Sequence, residues 1–218
     1  TAPGTYRWIA SYSGDANNGA VAGACNDAGE SVVVIQATPT ISTVASAGVT
    51  VGGTVTDTAT LSGGVAPTGT ITFRLYGPTD PTCAGVPVFT NAQPVGGAGA
   101  TSAPFTTTAP GTYRWIASYS GDANNGAVAG ACNDAGESVV VIQATPTIST
   151  VASAGVTVGG TVTDTATLSG GVAPTGTITF RLYGPTDPTC AGVPVFTNAQ
   201  PVGGAGATSA PFTTTAPG

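Results

Sequence analysis

The residues best equipped for covalent chemistry in this chain are four cysteines, Cys25, Cys83, Cys132 and Cys190. They are widely spaced and form no CxxC motif. A thiolate metal cage is therefore not expected, and disulfides are the default reading, which points to an oxidising, extracellular setting. Two arrangements are open. Cys83–Cys132 would lie within one domain, whereas Cys25–Cys83 and Cys132–Cys190 would join neighbouring domains. The first is preferred. It would close a loop with a sequence separation of 49, worth about 4 kcal/mol of loop-closure entropy. Cys25 and Cys190 would then find partners in adjoining segments. A bond inside one domain also requires the stretch from Gly121 to Gly136 to fold back along it.

The remaining polar residues point away from catalysis. The chain has no His and no Lys, so the commonest general base and the commonest nitrogen ligand for zinc are missing. No nucleophile stands beside a base, and no cofactor is expected. An enzyme is the poorest reading. Lys–Asn isopeptide cross-links are excluded by the same composition. Oxygen ligands at Asp122 and Asn124, with Asp134 further on, offer a weak calcium candidate. Their spacing matches no complete calcium loop, and Asp and Asn are ordinary turn formers, so a capped turn is the main expectation. Asp57 shares parity with Val55, Ala59 and Leu61, and is expected to point inward with a structural hydrogen bond. Arg74 and Arg114 are expected on a solvent-facing ladder. The net charge is -6, with four Arg as the only cations apart from a free amino terminus. That balance argues against nucleic acid, whose phosphates need clustered Lys and Arg.

These residues are carried by a repeat. Residues 1–107 recur letter for letter as residues 108–214, and Thr215 to Gly218 repeat Thr1 to Gly4. So long a period is a whole domain rather than a solenoid unit. Apolar and polar residues alternate at period two between Gly/Pro clusters, with no sustained helical period, so the fold class is all-β. One domain runs from 38 to 144, between two Thr-Pro-Thr links. Its seven strand candidates are Thr40–Ser46, Thr54–Leu61, Thr70–Tyr76, Val86–Val95, Thr101–Thr106, Thr112–Tyr119 and Glu137–Ile142. Seven short strands in about a hundred residues suit an immunoglobulin-like sandwich.

On this division residues 1–37 hold the last two strands of an upstream domain, and residues 145–218 the first five strands of a downstream one. Neither closes a sandwich alone. The chain is expected to be an arbitrary window on a longer fibre. The alternative is head-to-tail completion between separate chains by strand addition. No apolar run is long enough for a membrane-spanning helix.

The stretch Pro67-Thr68-Gly69-Thr70-Ile71-Thr72-Phe73, followed by Ala109-Pro110-Gly111-Thr112-Tyr113-Arg114-Trp115-Ile116-Ala117-Ser118-Tyr119-Ser120-Gly121-Asp122, resembles the bacterial Ig-like repeat family. The resemblance covers the whole repeat. It implies tandem sandwiches in stalks, spacers or adhesin bodies on secreted and cell-surface proteins, without catalytic residues. The cysteine pair and the segment Ala123 to Gly136 depart from the simplest members. Independently, Gly111 and Tyr113 sit where a tyrosine corner belongs, and Trp115 takes the inward position two residues on. Phe73 shares the core parity of its strand. The same roles fall on Gly4, Tyr6 and Trp8 in the first copy.

The expected function is structural: a segment of an extracellular bacterial surface fibre, stalk or filament that supplies length and mechanical strength. The partners are neighbouring identical repeats, head to tail and in lateral contact, since low charge opposes contact weakly. The alternative is an adhesin repeat that binds a glycan, a surface or a partner protein through avidity.

Overall fold

A computed structural model describes residues 2–215, which contain strands and turns and no helix. The chain divides into two compact units, Thr1–Ile142 and Gln143–Gly218.

The first unit opens with β1 (Gly4–Arg7), β2 (Ser11–Tyr12), β3 (Val21–Ala22) and β4 (Ser31–Val34). They form two antiparallel pairs, β1 with β4 and β2 with β3. The rest of the unit comprises β5 (Thr40–Ala45), β6 (Val49–Thr50), β7 (Thr54–Val55), β8 (Asp57–Ser62), β9 (Thr70–Tyr76), β10 (Phe89–Pro94), β11 (Gly99–Thr101), β12 (Phe105–Thr106), β13 (Gly111–Tyr119), β14 (Val128–Ala129) and β15 (Ser138–Ile142). One sheet has the order β10-β9-β13-β15-β6, with β14 also against β13; a second has the order β11-β8-β5, and β12 pairs with β7.

Period-two alternation explains which faces are buried. Ile71, Phe73 and Leu75 of β9 and Tyr113, Trp115, Ala117 and Tyr119 of β13 point the same way and join Val55, Ala59 and Leu61 from β7 and β8 in one core. Trp115 has no exposed surface. Its ring meets Phe73 and Phe89 edge to face, with centroids 6.4 and 6.1 Å apart. Gly111 starts β13 at φ +130°, where a Cβ would lie 2.5 Å from Pro78 Cβ. Only glycine fits both that conformation and that approach.

Two expected strands are each broken in the middle. Thr56 leaves the ladder between β7 and β8 because its carbonyl accepts from the Ser46 N–H at 2.9 Å and its own N–H donates to Ser46 Oγ at 3.1 Å. Opposite it, Pro104 has no N–H to give a ladder, and β11 stops before it. Two short strands escape period analysis. After β5 the chain turns at Gly48 and β6 crosses to run parallel with β15, while β14 adds two residues beside Ser118 and Tyr119.

The second unit contains β16 (Thr147–Ala152), β17 (Thr161–Val162), β18 (Asp164–Ser169), β19 (Thr177–Leu182), β20 (Phe196–Pro201), β21 (Gly206–Thr208) and β22 (Phe212–Thr213). Their pairings keep the first unit's registers: Phe180 faces Asn198 as Phe73 faces Asn91. The stretch matching β6 is not a strand here, because the described part of this unit has no counterpart of β15 to pair with. The buried cluster shrinks to Ala166, Ile178 and Phe180.

Candidate functional site

The Asp122 turn has the densest set of side-chain contacts to backbone. Gly121 takes φ +73°, and a Cβ there would lie 2.8 Å from the Ala127 nitrogen. This tight reversal brings the Asp122 carboxylate over its own loop. Asp122 Oδ1 accepts from the backbone N–H groups of Asn124 and Asn125 at 2.8 and 2.9 Å. Oδ2 accepts from the Thr68 N–H at 2.6 Å and the Tyr119 hydroxyl at 2.8 Å. The Thr68 amide leads the donors that hold the Asp122 carboxyl well below the ordinary carboxylate range. Burial, reinforced by Asp122, pushes the Tyr119 phenol up to about 12.

Both carboxylate oxygens are thus spent on protein donors, which is what a capped turn does with them. Asp134 serves a separate turn, accepting from the Ala131 N–H at 2.7 Å. Among the described residues no group of three or more His, Cys, Asp or Glu converges as a metal site would require.

The loop so fixed reaches in two directions. Asn125 is buried, accepts from the Val65 N–H at 2.7 Å and donates to the Val65 carbonyl at 3.0 Å. On its other side lies the linker that enters the repeat. The Ala37 N–H donates to the Asn124 carbonyl at 2.8 Å, and the Gly126 N–H donates to the Ala37 carbonyl at 2.9 Å. Gln36 Nε2 donates to the Asp122 carbonyl at 2.9 Å. Pro39 is buried just beyond. Local sequence announces a turn at Asp122; it carries no sign of Asn125, Val65, Gln36 and Ala37 meeting, because those contacts span 60 to 87 residues.

The cysteines form a second tie. Cys83 and Cys132 are bonded, with Cα atoms 5.9 Å apart. Gly121 to Gly136 does run back along the sheet, held there by β14. Asn133 braces the bond on both sides: its Nδ2 donates to the Pro81 carbonyl at 3.1 Å, and its Oδ1 accepts from Arg114 Nε at 2.6 Å. Cys25 and Cys190 are free and exposed.

A third cluster is buried. Asp57 and Glu137 have at most 2% exposure. The Thr43 hydroxyl donates to Glu137 Oε1, but Glu137 Oε2 and both oxygens of Asp57 have no partner. The structural hydrogen bond expected of the Asp57 carboxylate is absent; the residue is held instead through its backbone, N–H to Ser102 Oγ at 3.0 Å. Burial first, and the charge of Glu137 second, push Asp57 up to about 7; burial also raises Glu137. Two unpaired carboxyls this close cannot both ionise cheaply.

The other sequence-derived residues divide by copy. Tyr113 makes its corner: the hydroxyl donates to the Ala109 carbonyl at 3.1 Å. Tyr6 does the same to Ala2 at 2.6 Å. The expectation that Tyr6 and Trp8 are core residues fails, because Tyr6 is 37% and Trp8 71% exposed. Their strand has β4 on one side and no counterpart of β9 on the other. Arg74 and Arg114 share a face but do not face each other: Arg74 is opposite Ile116, and Arg114 is opposite Tyr76. Tyr76 is buried, not part of that solvent face.

Comparison with protein-family models, curated proteins and solved structures found no match for this chain. No helix among the described residues is long and apolar enough to cross a membrane.

Proposed function

We propose that this chain is a structural segment of an extracellular bacterial fibre or stalk, built from identical immunoglobulin-like sandwiches of the bacterial Ig-like repeat kind. The observation that carries the reading is the docked linker. A 107-residue period alone gives many copies; it does not give stiffness. Three hydrogen bonds from Gln36 and Ala37 to the 122–126 loop fix the strand that enters each repeat. Pro39 further limits the swing at that joint. Each identical repeat then adds the same increment of length in a defined direction.

The Cys83–Cys132 bond supports the same reading. It limits the chain that tension can draw out of a repeat, and it suits an oxidising exterior. No residue has a catalytic role in this account. Electron microscopy of the native material tests it. Straight fibres with an axial repeat near one domain length, about 40 Å from strands of roughly eight residues plus end loops, are the expected result. Discrete particles, or short strings that bend freely at every joint, would overturn it.

A further inference from the structure

The second unit has a cleft of ≈ 360 Å³ bordered by Ala152, Val162, Phe180, Leu182, Phe196 and Phe212. In the complete repeat the same positions are Ala45, Val55, Phe73, Leu75, Phe89 and Phe105, and they belong to the core that encloses Trp115. The cleft is therefore the seat of a tryptophan that the second unit's described residues do not contain. It is already shaped for one. Phe196 and Phe212 stand 5.4 Å apart at 44°, as Phe89 and Phe105 stand 5.4 Å apart at 42° around the filled core. A preformed seat costs little reorganisation on binding.

The matching piece lies at the other end of the chain. β1, β2, β3 and β4 repeat the sequences of β13, β14 and β15. Their Trp8 is 71% exposed, and Val32 and Val34, which match the buried Val139 and Val141, are open too. β13 pairs with β9 by setting Trp115 opposite Leu75 and Ala117 opposite Phe73. Transferred by one period, that register sets Trp8 opposite Leu182 and Ala10 opposite Phe180, on the edge of β19 that β20 leaves unpaired. It also carries Cys25 to Cys190, the two free thiols, as Cys132 meets Cys83.

We propose that a second copy of this chain fills the cleft. Residues 2–35 of one copy add their strands to β19 of the next, Trp8 enters between Phe180 and Phe196, and Cys25 bonds to Cys190 across the junction. The donor is a second copy because its sequence is identical to the segment that closes the complete repeat. The covalent step needs an oxidant such as a disulfide of low molecular mass. Each junction's two thiols give up two protons and two electrons to oxidised glutathione, which departs as two glutathione thiols. This deepens the fibre reading by naming the joint, and the two fail separately. A chain that stays single sinks the joint alone, whereas native material without fibres sinks the reading of its role.

The test uses the 218-residue chain at rising concentration with oxidised glutathione. Light scattering after size exclusion should give masses growing in steps of 20.8 kDa. Tryptophan emission should shift to the blue with concentration as Trp8 leaves water. Non-reducing gels should give a ladder whose cross-linked peptides join Cys25 to Cys190. Trp8→Ala should abolish growth while the melting of the first unit is unchanged. Cys25→Ser should remove the ladder but keep reversible association. A monomer at every concentration, a closed dimer that grows no further, an internal Cys25–Cys190 bond within one chain, or Cys25–Cys25 bonds as frequent as Cys25–Cys190 would each overturn the proposal.

Discussion

The chain holds one strand sequence in two surroundings. Residues 111–119 form an unbroken strand whose tryptophan has no exposed surface. Residues 4–12 have the same letters, yet they form two short strands separated at Trp8, Ile9 and Ala10, and Trp8 is 71% exposed. What survives in the lone copy is local. Tyr6 keeps its corner bond to Ala2, Arg7 keeps its bond to Asn26, and Asp15 still caps Asn17 and Asn18. What is lost is every contact that needs the 70–76 strand. Short-range hydrogen bonds therefore set the shape of this segment, and the neighbouring sheet decides which side chains are inside. Burial here belongs to the pairing, not to the residue.

The largest expected consequence is a contrast between the two tryptophans. Trp115→Ala removes the ring on which Phe73 and Phe89 pack and should cost about 3–5 kcal/mol, enough to threaten folding of the complete repeat. Trp8→Ala, measured on dilute monomeric chain, should move the melting temperature of that repeat by no more than a surface change does. Thermal unfolding followed by near-ultraviolet circular dichroism checks both. Equal losses would mean that residues 2–35 are packed against a core of their own.

Next in size is the disulfide. Reducing Cys83–Cys132 should cost about 4 kcal/mol, because it frees a loop with a sequence separation of 49 in the unfolded chain. Cys25→Ser and Cys190→Ser, at free exposed thiols, should leave the same transition unchanged in the monomer. Denaturant titration with and without a reductant reads the difference directly. A transition that ignores the reductant would show that packing alone holds the 121–136 segment in place.

The pH response should be smaller and of opposite sign at two sites. Asp57 rises from its ordinary 3.8 to about 7, so between those values the unfolded chain has released a proton that the folded chain keeps. Its contribution is complete below pH 4 and is lost as pH climbs through 7, on the order of 2 kcal/mol. The charged groups that bear on it are Glu137 and, behind Glu137, Asp134. Asp122 is depressed, so its contribution is present above pH 4 and lost as pH falls. Stability should therefore peak near pH 5 and decline toward pH 8, and Asp57→Asn should flatten that decline. Melting temperatures from pH 3 to pH 9 in wild type and Asp57→Asn decide it, since a wild-type plateau from pH 5 to pH 8 would rule out a protonated Asp57.

The same local-versus-long-range division explains what could be read from the letters. Alternation gave Thr70–Tyr76 with its observed ends, and Asp57 inward, because both follow from parity along one strand. The breaks at Thr56 and Pro104, the two-residue strands 49–50 and 128–129, and the docking of Gln36 and Ala37 depend on partners far along the chain. Cys132 lay in between. Loop length permitted the bond to Cys83, but it took β14 and Asn133 to bring the loop there.

The smallest expected effect isolates the local term. Tyr113→Phe keeps the buried ring and removes only the hydroxyl that bonds to both the N–H and the carbonyl of Ala109. The ring sits in the core at 2% exposure, so the lost bond should cost about 1 kcal/mol. Tyr6→Phe deletes the matching bond to Ala2 in a segment whose ring is 37% exposed. Water replaces that partner, and the global transition should not move. If the strand-addition joint forms, however, Tyr6 becomes a core tyrosine in the assembled material, and Tyr6→Phe should then weaken assembly about as much as Tyr113→Phe weakens folding. Comparing the two substitutions in monomer and in assembled chain measures how much of a tyrosine corner's worth comes from its own four residues and how much from the sheet that closes over it.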